Sequence, residues 1–216
     1  MNRKALVLLS GGQDSTTCLF WAKKNFDHVE AIGFNYGQRH KKELQCALEI
    51  TKNAYIKYYI VNINTLDEIS QNALTNKNID IRNSQKEGVP PNTLVEGRNL
   101  LFLTYAGIYA KTQDISNIVM GVSQTDYSNY PDCRNEFIIS AQETLCLATN
   151  YQFKLHVPLM WKSKAETWAL ADKLGVLEYI RDNTITCYNG IIGQGCGECP
   201  ACILRRKGLD LYLNEK

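Results

Sequence analysis

Five apolar runs with the composition of buried strands recur along the chain. Runs rich in Val, Ile, Leu and Phe that alternate little with polar residues are typical of strands covered on both faces. The predicted strands are residues 5–9, 29–34, 56–63, 118–122 and 153–157.

Helix-like segments separate these strands. In one of them, Leu44, Ala47, Leu48 and Thr51 fall on a single helical face. Strands that alternate with helices predict βαβ units, and hence an α/β protein with an open parallel sheet and helices on both faces. The predicted helices are residues 16–24, 41–52, 98–111, 135–148 and 164–174.

The regular pattern is interrupted twice and then changes near the C-terminus. Residues 72–92 and 123–132 form long polar stretches, which in a compact domain are usually functional or disordered. After Ile180 the composition shifts to cysteine and glycine. We therefore expect an α/β domain over residues 1–180 and a small C-terminal metal-binding, helical region over residues 181–216.

Composition and charge narrow the class of protein. The chain has 216 residues, is 44% hydrophobic and 21% charged, and carries a net charge of +2. This charge is too weak to argue for a nucleic-acid partner. The chain has no run of about 18 apolar residues, so we expect no membrane span. The first apolar run leads directly into a glycine turn, so it is not interpreted as a signal peptide, and we expect a cytoplasmic protein.

The stretch SGGQDS, residues 10–15, follows the first predicted strand. Gly11 and Gly12 let backbone N–H groups approach an anion closely, and the following helix adds unpaired N–H groups and its positive end. Asp14 would repel bare phosphate, so it makes more sense beside a Mg²⁺ ion. The turn has neither the spacing nor the lysine of a Walker P-loop.

The pattern S-G-G-x-D-S resembles the pyrophosphatase loop (PP-loop) of enzymes that cleave ATP between its α and β phosphates. The resemblance implies activation of an oxygen atom as an adenylate, with release of pyrophosphate. A plain strand–helix turn capped by serine is the alternative. The resemblance implies that ATP lies along Leu9, Ser10, Gly11, Gly12, Gln13, Asp14, Ser15, Thr16, Thr17, Cys18 and Leu19.

Four of the eight cysteines lie within 16 residues, in the pattern C-x₈-C-x₂-C-x₂-C. A disulfide framework is not expected in a chain without a secretion signal, and this spacing points to a metal. Four thiolates suit a closed, structural Zn²⁺ site with no open position. An iron–sulfur cluster and free cysteines are the alternatives. The predicted ligands are Cys187, Cys196, Cys199 and Cys202.

Polar residues follow several other predicted strands and would meet at the same edge of the sheet. Arg39 and His40 follow the second strand with Tyr36 and Gln38, and Arg98 and Asn99 open a helix where a side chain could meet phosphate. Lys162 and Lys164, after the fifth strand, are candidates for the positive charge that the glycine turn lacks. The alternative for each is an ordinary solvated helix start.

The loop after the fourth strand combines carboxylates with aromatic rings. Such a set suits a flat heterocycle, because rings stack on it and Asp accepts from its N–H groups. An unspecialised polar surface loop is the alternative. The predicted contacts to the heterocycle are Ser123, Asp126, Tyr127, Asp132 and Arg134.

Taken together, these segments resemble the 7-cyano-7-deazaguanine synthases of queuosine biosynthesis, over nearly the whole chain. The resemblance implies a Rossmann-like fold of the adenine nucleotide alpha hydrolase type, a structural Zn²⁺, ATP with Mg²⁺, and a homodimer. Glu96 and Asn129 depart from the family pattern, where proline and glycine are expected. The resemblance rests on SGGQDSTTCL, FNYGQRH, GRN, DYSNYPDCR, PLMWKSKAET and the four-cysteine tail.

The resemblance also implies a reaction. ATP activates the carboxylate of 7-carboxy-7-deazaguanine, ammonia forms the amide, and a second ATP activates the amide oxygen so that elimination leaves a nitrile. The chain would thus be an ATP-dependent C–N ligase whose partners are the deazapurine carboxylate, ATP and ammonia, with no nucleic acid and no membrane. The catalytic candidates are Ser10, Asp14, Arg98 and Lys164.

Two other functions fit parts of the sequence. A tRNA thiolation enzyme with the same loop would need a persulfide-bearing cysteine or an iron–sulfur cluster, together with a basic RNA surface. A zinc-ribbon binding module with an inactive ATP loop would turn over no ATP with any small carboxylate. Sulfur analysis, tRNA binding and ATP turnover discriminate among the three.

Overall fold

The protein is built on a five-stranded parallel sheet in the order β3-β2-β1-β4-β5. A computed structural model describes residues 3–38, 42–63, 92, 94–125 and 130–216, and the statements below concern those residues. All five predicted strands are present, and the predicted α/β class is confirmed. Their bounds are Lys4–Leu8 (β1), His28–Asn35 (β2), Lys57–Asn62 (β3), Asn117–Val119 (β4) and Lys154–His156 (β5).

Helices cover both faces of this sheet. Ala5 and Val7 of β1 lie in one core with the helices over residues 13–25 and 42–54, whereas Leu6 and Leu8 lie in the other with the helices over residues 98–112 and 135–149. This division follows from the strand geometry, since successive side chains point to opposite faces. The helices are α1 (Gln13–Asn25), α2 (Lys42–Ala54), α3 (Arg98–Thr112), α4 (Asn135–Thr149), α5 (Lys164–Lys173), α6 (Leu177–Asn183) and α7 (Pro200–Glu215).

A third core joins the C-terminal helices to the sheet domain. Trp168 and Ile180 are fully buried in it, with Phe20 of α1 and Leu209 of α7 packed against them. The predicted division of the chain at residue 180 falls within α6. That division stays a prediction.

Helix α1 begins earlier than the sequence pattern predicted. It starts at Gln13 rather than Thr16, with Gly12 as the extended N-cap residue. Ser15, Thr16 and Thr17 therefore lie in its first turns. Of the three residues that the prediction left out, Asp14 and Ser15 have modest helix propensity, and this weakened the local signal for the start of the helix.

The strand order creates a crevice at one edge of the sheet. The chain leaves β1 toward β2 on one side, whereas β4 and β5 lie on the other side of β1. After β1 and after β4, which are neighbours, the chain continues in opposite directions across the sheet. Such an arrangement opens a crevice at the carboxyl ends of the two strands, and this is where ligands bind in open α/β folds. The glycine turn follows β1, and residues 120–125 follow β4, so both lie at this crevice.

Across the described parts of the chain, we found no helix with both the length and the apolar character needed to cross a membrane.

Candidate active site and metal centre

The glycine turn is packed tightly against α2. Gly11 adopts φ +84°, a left-handed conformation that favours glycine. A Cβ atom at Gly11 would lie 2.7 Å from the Glu43 carbonyl oxygen and 2.9 Å from the Ala47 nitrogen. Glycine is thus required at position 11 both by its backbone conformation and by the space available.

Hydroxyl groups bridge the turn from one end to the other. The Ser10 nitrogen donates to Ser15 Oγ at 3.3 Å, and the two hydroxyl oxygens lie 3.1 Å apart. Ser15 Oγ donates to the Gly12 carbonyl at 3.2 Å, while the Gly12 N–H donates to Ser10 Oγ at 3.4 Å. Ser10 is exposed, so its hydroxyl is accessible to a ligand.

Several of the predicted nucleotide-binding residues lie below the turn rather than on its surface. Leu9, Cys18 and Leu19 belong to the apolar core, and Thr17 Oγ1 donates to the Gln13 carbonyl at 2.8 Å. Gln13 Nε2 and Thr16 Oγ1 are buried without a hydrogen-bond partner among the described residues. Roles for all of these residues in nucleotide binding stay predictions.

Asp14 and Lys164 form an ion pair beside the turn. Lys164 Nζ lies 3.0 Å from Asp14 Oδ1 and 2.9 Å from Oδ2. Lys164 is the first residue of α5, which begins with a capping box between Ser163 and Glu166. A lysine in the first helical turn opposes the helix dipole. This placement favours a role for Lys164 at the site over one in stabilising α5.

The segment after β4 passes directly over the start of α1. A Cβ atom at Gly121 would lie 2.9 Å from the carbonyl carbon of Asp14 and 2.9 Å from the Ser15 nitrogen. The Cys18 thiol also contacts the Met120 carbonyl oxygen at 3.6 Å. The backbones after β1 and β4 are therefore in contact, and Gly121 makes that contact possible.

Arg98 forms a second cationic group at the same edge of the sheet. Its Nη1 donates to the Tyr36 hydroxyl at 3.3 Å, and its guanidinium lies 5.8 Å from the Tyr36 ring and 5.9 Å from the Phe102 ring. Burial opposes its charge, but attraction to Tyr36, Tyr130 and Asp132 outweighs this and raises the pKa of Arg98. Arg98 therefore stays a cation beside aromatic rings.

Asp132 is held at the start of α3. Its Oδ2 accepts the backbone N–H of Asn99 at 2.9 Å, and its own carbonyl accepts Asn99 Nδ2 at 3.1 Å. The N-cap residue of α3, Gly97, makes no side-chain cap. Asp132 thus caps the N-terminus of α3 although it lies outside the helix, and one of its carboxylate oxygens is occupied by this hydrogen bond. Contact with a heterocycle stays a prediction for this residue.

The other predicted substrate contacts are dispersed. Ser123 is buried, and its Oγ donates to the Lys162 carbonyl at 3.2 Å. Arg134 pairs with Glu136 at 3.1 Å on the surface, where both side chains are more than half exposed. Two predicted contacts, Asp126 and Tyr127, lie outside the described residues, as do Arg39 and His40 after the second strand.

Two charged residues near the site were not singled out in the sequence. Glu43 opens α2 beside the turn, and burial, opposed by Arg98, raises its pKa to about 7. Glu43 lies in the same polar stretch after β2 as Tyr36, and this position in the sequence could have marked it as a site residue. Arg205 is buried in α7. Its partners lie about twenty residues earlier in the chain, so no local pattern marks it.

The four predicted metal ligands converge. All four Sγ atoms lie within 4.8 Å of one another, and Cys187, Cys199 and Cys202 are buried. Backbone N–H groups of Glu198 and Cys199 point to Cys196 Sγ at 3.5 and 3.3 Å and lower the pKa of this thiol to about 6. Burial raises the pKa of Cys202 to about 12.

This arrangement fits a tetrahedral metal ion. Zn–S bonds of about 2.3 Å place tetrahedral sulfur atoms about 3.8 Å apart, and Cys196 Sγ lies 4.0 Å from Cys202 Sγ. Burial disfavours thiolates unless a cation compensates them. A glycine at position 195 is needed as well, because a Cβ there would clash with Cys202 Sγ.

The fold is shared with solved ATP-binding and synthetase structures. A 4-thiouridine synthetase in an RNA complex with bound ATP superposes with a TM-score of 0.56 at 18% identity, covering 98% of this chain and 52% of that one. NMN synthetase from Francisella tularensis has a TM-score of 0.52 at 14% identity, covering 99% and 84%. At these identities the likeness shows the fold alone.

A third structure, the NH3-dependent NAD synthetase from Campylobacter jejuni, has a TM-score of 0.49 at 19% identity, covering 83% of this chain. The chain spans 66% of the NAD synthetase and 52% of the 4-thiouridine synthetase.

The family is shown by a different comparison. The model of a family described as queuosine biosynthesis protein QueC matches residues 4–213. The matched range contains the glycine turn, Arg98, Lys164 and the four converging cysteines. The chain therefore belongs to the queuosine biosynthesis protein QueC family.

Proposed function

We propose that the chain is an ATP-dependent ligase that converts 7-carboxy-7-deazaguanine and ammonia into 7-cyano-7-deazaguanine. The observation that carries the proposal is the Asp14–Lys164 pair beside the glycine turn, in a chain of the QueC family. The turn has no lysine of its own, and Lys164 provides the cation from another part of the chain.

The first half of the reaction forms an amide. A carboxylate oxygen of the substrate attacks the α-phosphorus of ATP, and pyrophosphate leaves. Ammonia then attacks the carbonyl carbon of the acyl adenylate, AMP leaves, and the nitrogen loses a proton. The products are the amide, AMP and pyrophosphate.

The second half removes the amide oxygen. That oxygen attacks a second ATP at the α-phosphorus, with loss of pyrophosphate and one N–H proton. AMP then leaves with the oxygen, the remaining N–H proton is lost, and the carbon–nitrogen triple bond forms. Both halves need the same activation, so one nucleotide site serves both.

The residues around the turn hold and orient the phosphates. Backbone N–H groups at the start of α1 and the Ser10 hydroxyl are donors for phosphate oxygens. Lys164 offsets the negative charge that develops as pyrophosphate leaves. Asp14 holds Lys164 in position through both carboxylate oxygens. In this scheme the protein acts by positioning and electrostatics, without a covalent nucleophile.

Asp14 also suits Mg²⁺. A carboxylate oxygen is a ligand that Mg²⁺ prefers, and the Asp14 side chain is one-third exposed. With ATP bound, the ion would neutralise part of the phosphate charge. Ser10, which is exposed in the same turn, could also face the ion.

The substrate side of the cleft lies around Arg98. Its half-buried, permanently charged guanidinium suits the substrate carboxylate, and Tyr36 and Phe102 lie beside it. Ser123 and Asp132 border the same cleft. The main contribution of Asp132 is to hold the start of α3, which carries Arg98. Asp126, Tyr127 and Arg134 stay predicted contacts to the heterocycle.

The four cysteines suit a structural Zn²⁺. Four thiolates close a tetrahedral shell and leave no position for a reactive water. The ion would fasten the chain between α6 and α7. This segment contains several glycines with positive φ, and after Ile185 the side chains that it buries are those of cysteines.

Mass spectrometry of the products tests the proposed reaction. Purified protein with ATP, Mg²⁺, ammonium and 7-carboxy-7-deazaguanine should yield the amide and then the nitrile. Two AMP and two pyrophosphate should appear for each nitrile. Release of ADP and phosphate instead would contradict the adenylate mechanism. ATP turnover with no change in the deazapurine would contradict the assignment of 7-carboxy-7-deazaguanine as the substrate.

A further inference from the structure

Arg205 is a buried cation that the proposed reaction does not use. Its side chain lies in α7 and is only 5% exposed. The four oxygen atoms that accept hydrogen bonds from its guanidinium all belong to residues 180–186, which we call the bridge segment. The guanidinium donates to the hydroxyls of Thr184 and Thr186 at 2.9 and 2.8 Å and to the carbonyls of Ile180 and Arg181 at 2.9 and 2.8 Å.

The bridge segment forms the floor of the glycine turn. The Ile185 N–H donates to the Gly11 carbonyl at 3.0 Å. The Cys46 thiol donates to the Asn183 carbonyl at 3.1 Å, and its sulfur lies 3.5 Å from the Gly11 carbonyl oxygen. A displacement of the bridge segment would therefore move the backbone that we assign to phosphate binding.

The same helix that carries Arg205 also contacts Lys164. A Cβ atom at Gly208 would lie 2.6 and 2.7 Å from Cγ and Cβ of Lys164. The Arg205 carbonyl accepts Trp168 Nε1 at 3.1 Å, and its guanidinium lies 5.4 Å from the Trp168 ring. Helix α7 is thus packed against α5 at the residue that pairs with Asp14.

The bridge segment leads directly into the metal centre. Cys187 follows Thr186, Cys199 is the N-cap residue of α7, and Cys202 lies in the first turn of α7, three residues before Arg205. Arg205 therefore ties together the two chain segments that supply the thiols, at the side that faces the glycine turn.

Joining two segments through a buried guanidinium costs free energy of desolvation. Arg205 has no carboxylate within ion-pair distance in the part of the chain described, and four neutral oxygens satisfy it instead. Burying a charge without a counter-charge costs several kcal/mol, and apolar side chains could join the segments without that cost. The rigid fork of arginine, however, fixes four oxygens at once. Four metal-bound thiolates and bound phosphates would both supply the missing negative charge.

We propose that Arg205 is a positioning residue for ATP: it holds the bridge segment, and through it the backbone of the glycine turn, in the geometry that binds phosphate. The metal centre and the nucleotide site are coupled through this residue. The inference rests on the proposed ATP-dependent function.

Arg205→Lys tests this inference, because it keeps the charge but loses the fork. The control is Arg206→Lys on the exposed side of the same helix, where the side chain donates to the Gly197 carbonyl. The dissociation constant of ATP with Mg²⁺ is measured by calorimetry on metal-loaded protein, well below its unfolding temperature. We expect a rise of about tenfold or more for Arg205→Lys and about twofold or less for Arg206→Lys.

A purely structural role predicts a different result. In that case Arg205→Lys would lower the unfolding temperature, but the folded, metal-loaded protein would bind ATP with wild-type affinity, which would overturn the inference. Wild-type protein that binds no ATP would overturn the proposed function together with the inference. Normal ATP binding by both wild type and Arg205→Lys would overturn the inference alone.

Thr186→Val decides the question if Arg205→Lys does not fold. Thr186 is half-buried, and the change removes one of the four acceptors at nearly constant volume. We expect ATP to bind about threefold or more weakly with the metal content unchanged. Unchanged ATP affinity in this variant would overturn the inference.

Discussion

Lys164 reaches Asp14 across 150 residues of chain, with its Nζ 3.0 and 2.9 Å from the two carboxylate oxygens. The side chain of Lys164 is only 10% exposed, and that of Asp14 is 33% exposed. The pair lies at the start of two helices, beside the glycine turn. Its charge is better suited to the chemistry than to stability, because the Asp14 carboxylate is one-third exposed and water can solvate it when the lysine is replaced.

Lys164→Met should therefore lower kcat/KM for ATP by about 10²–10³-fold while changing the free energy of unfolding by about 1 kcal/mol or less. Steady-state pyrophosphate release and urea denaturation measure the two effects. Lys173→Met, at the exposed end of the same helix, is the control. A Lys164→Met enzyme with more than a tenth of normal kcat/KM would contradict the assigned role.

Asp132 should act through α3. Asp132→Ala removes the acceptor of the Asn99 N–H and should cost about 1–2 kcal/mol in the free energy of unfolding, as loss of a helix cap does. Asp132→Asn retains an acceptor oxygen and should cost less. Urea denaturation of the two variants measures this. Equal stability of both variants and wild type would show that the Asn99 contact does not hold the helix start.

Gly121→Ala should disturb the start of α1. The added methyl would lie 2.9 Å from backbone atoms of Asp14 and Ser15, which cannot move aside as a side chain can. We expect a loss of about 1–3 kcal/mol in stability together with weaker ATP binding. Gly107→Ala is the matched control, since its methyl would meet only the flexible end of Leu145. The prediction fails if both variants bind ATP as wild type does.

Glu43 should make stability depend on pH. Burial raises its pKa from 4.5 to about 7, so between these values the folded chain binds more protons than the unfolded chain. The free energy of unfolding should therefore fall as pH rises through this range. Glu43→Gln should remove that fall, whereas Glu49→Gln, on the exposed side of α2, should not. Chemical denaturation at pH 5 and pH 8 compares the three proteins, and a parallel pH dependence in wild type and Glu43→Gln would rule out this role.

Metal analysis tests the four-cysteine centre. Purified protein should contain about one Zn²⁺ per chain, without iron and without visible absorption from a cluster. Cys199→Ser should lose the metal, lower the unfolding temperature and expose the region between α6 and α7 to proteases. Cys146→Ser, a change at a half-buried cysteine outside the cluster, is the control. Stoichiometric iron would instead favour the thiolation enzyme.

Much of this protein followed from short-range patterns. Apolar runs predicted all five strands, because strands buried on both faces need continuous apolar sequence. The glycine turn and the cysteine spacing were recognisable for a similar reason, since each constraint lies within a few residues. The first three residues of α1 were missed, because Asp14 and Ser15 give little helix signal.

Tertiary structure alone decided how these parts work together. The sequence offered Lys162 and Lys164 as sources of the missing positive charge and named Lys164 as a catalytic candidate, and the fold pairs Lys164 with Asp14. It offered Asp132 as a contact for a heterocycle, and the fold commits one of its oxygens to α3. Arg205 had no signal at all. Pairings between residues far apart in the chain depend on how helices and strands pack, and local sequence periodicity carries no information about that packing.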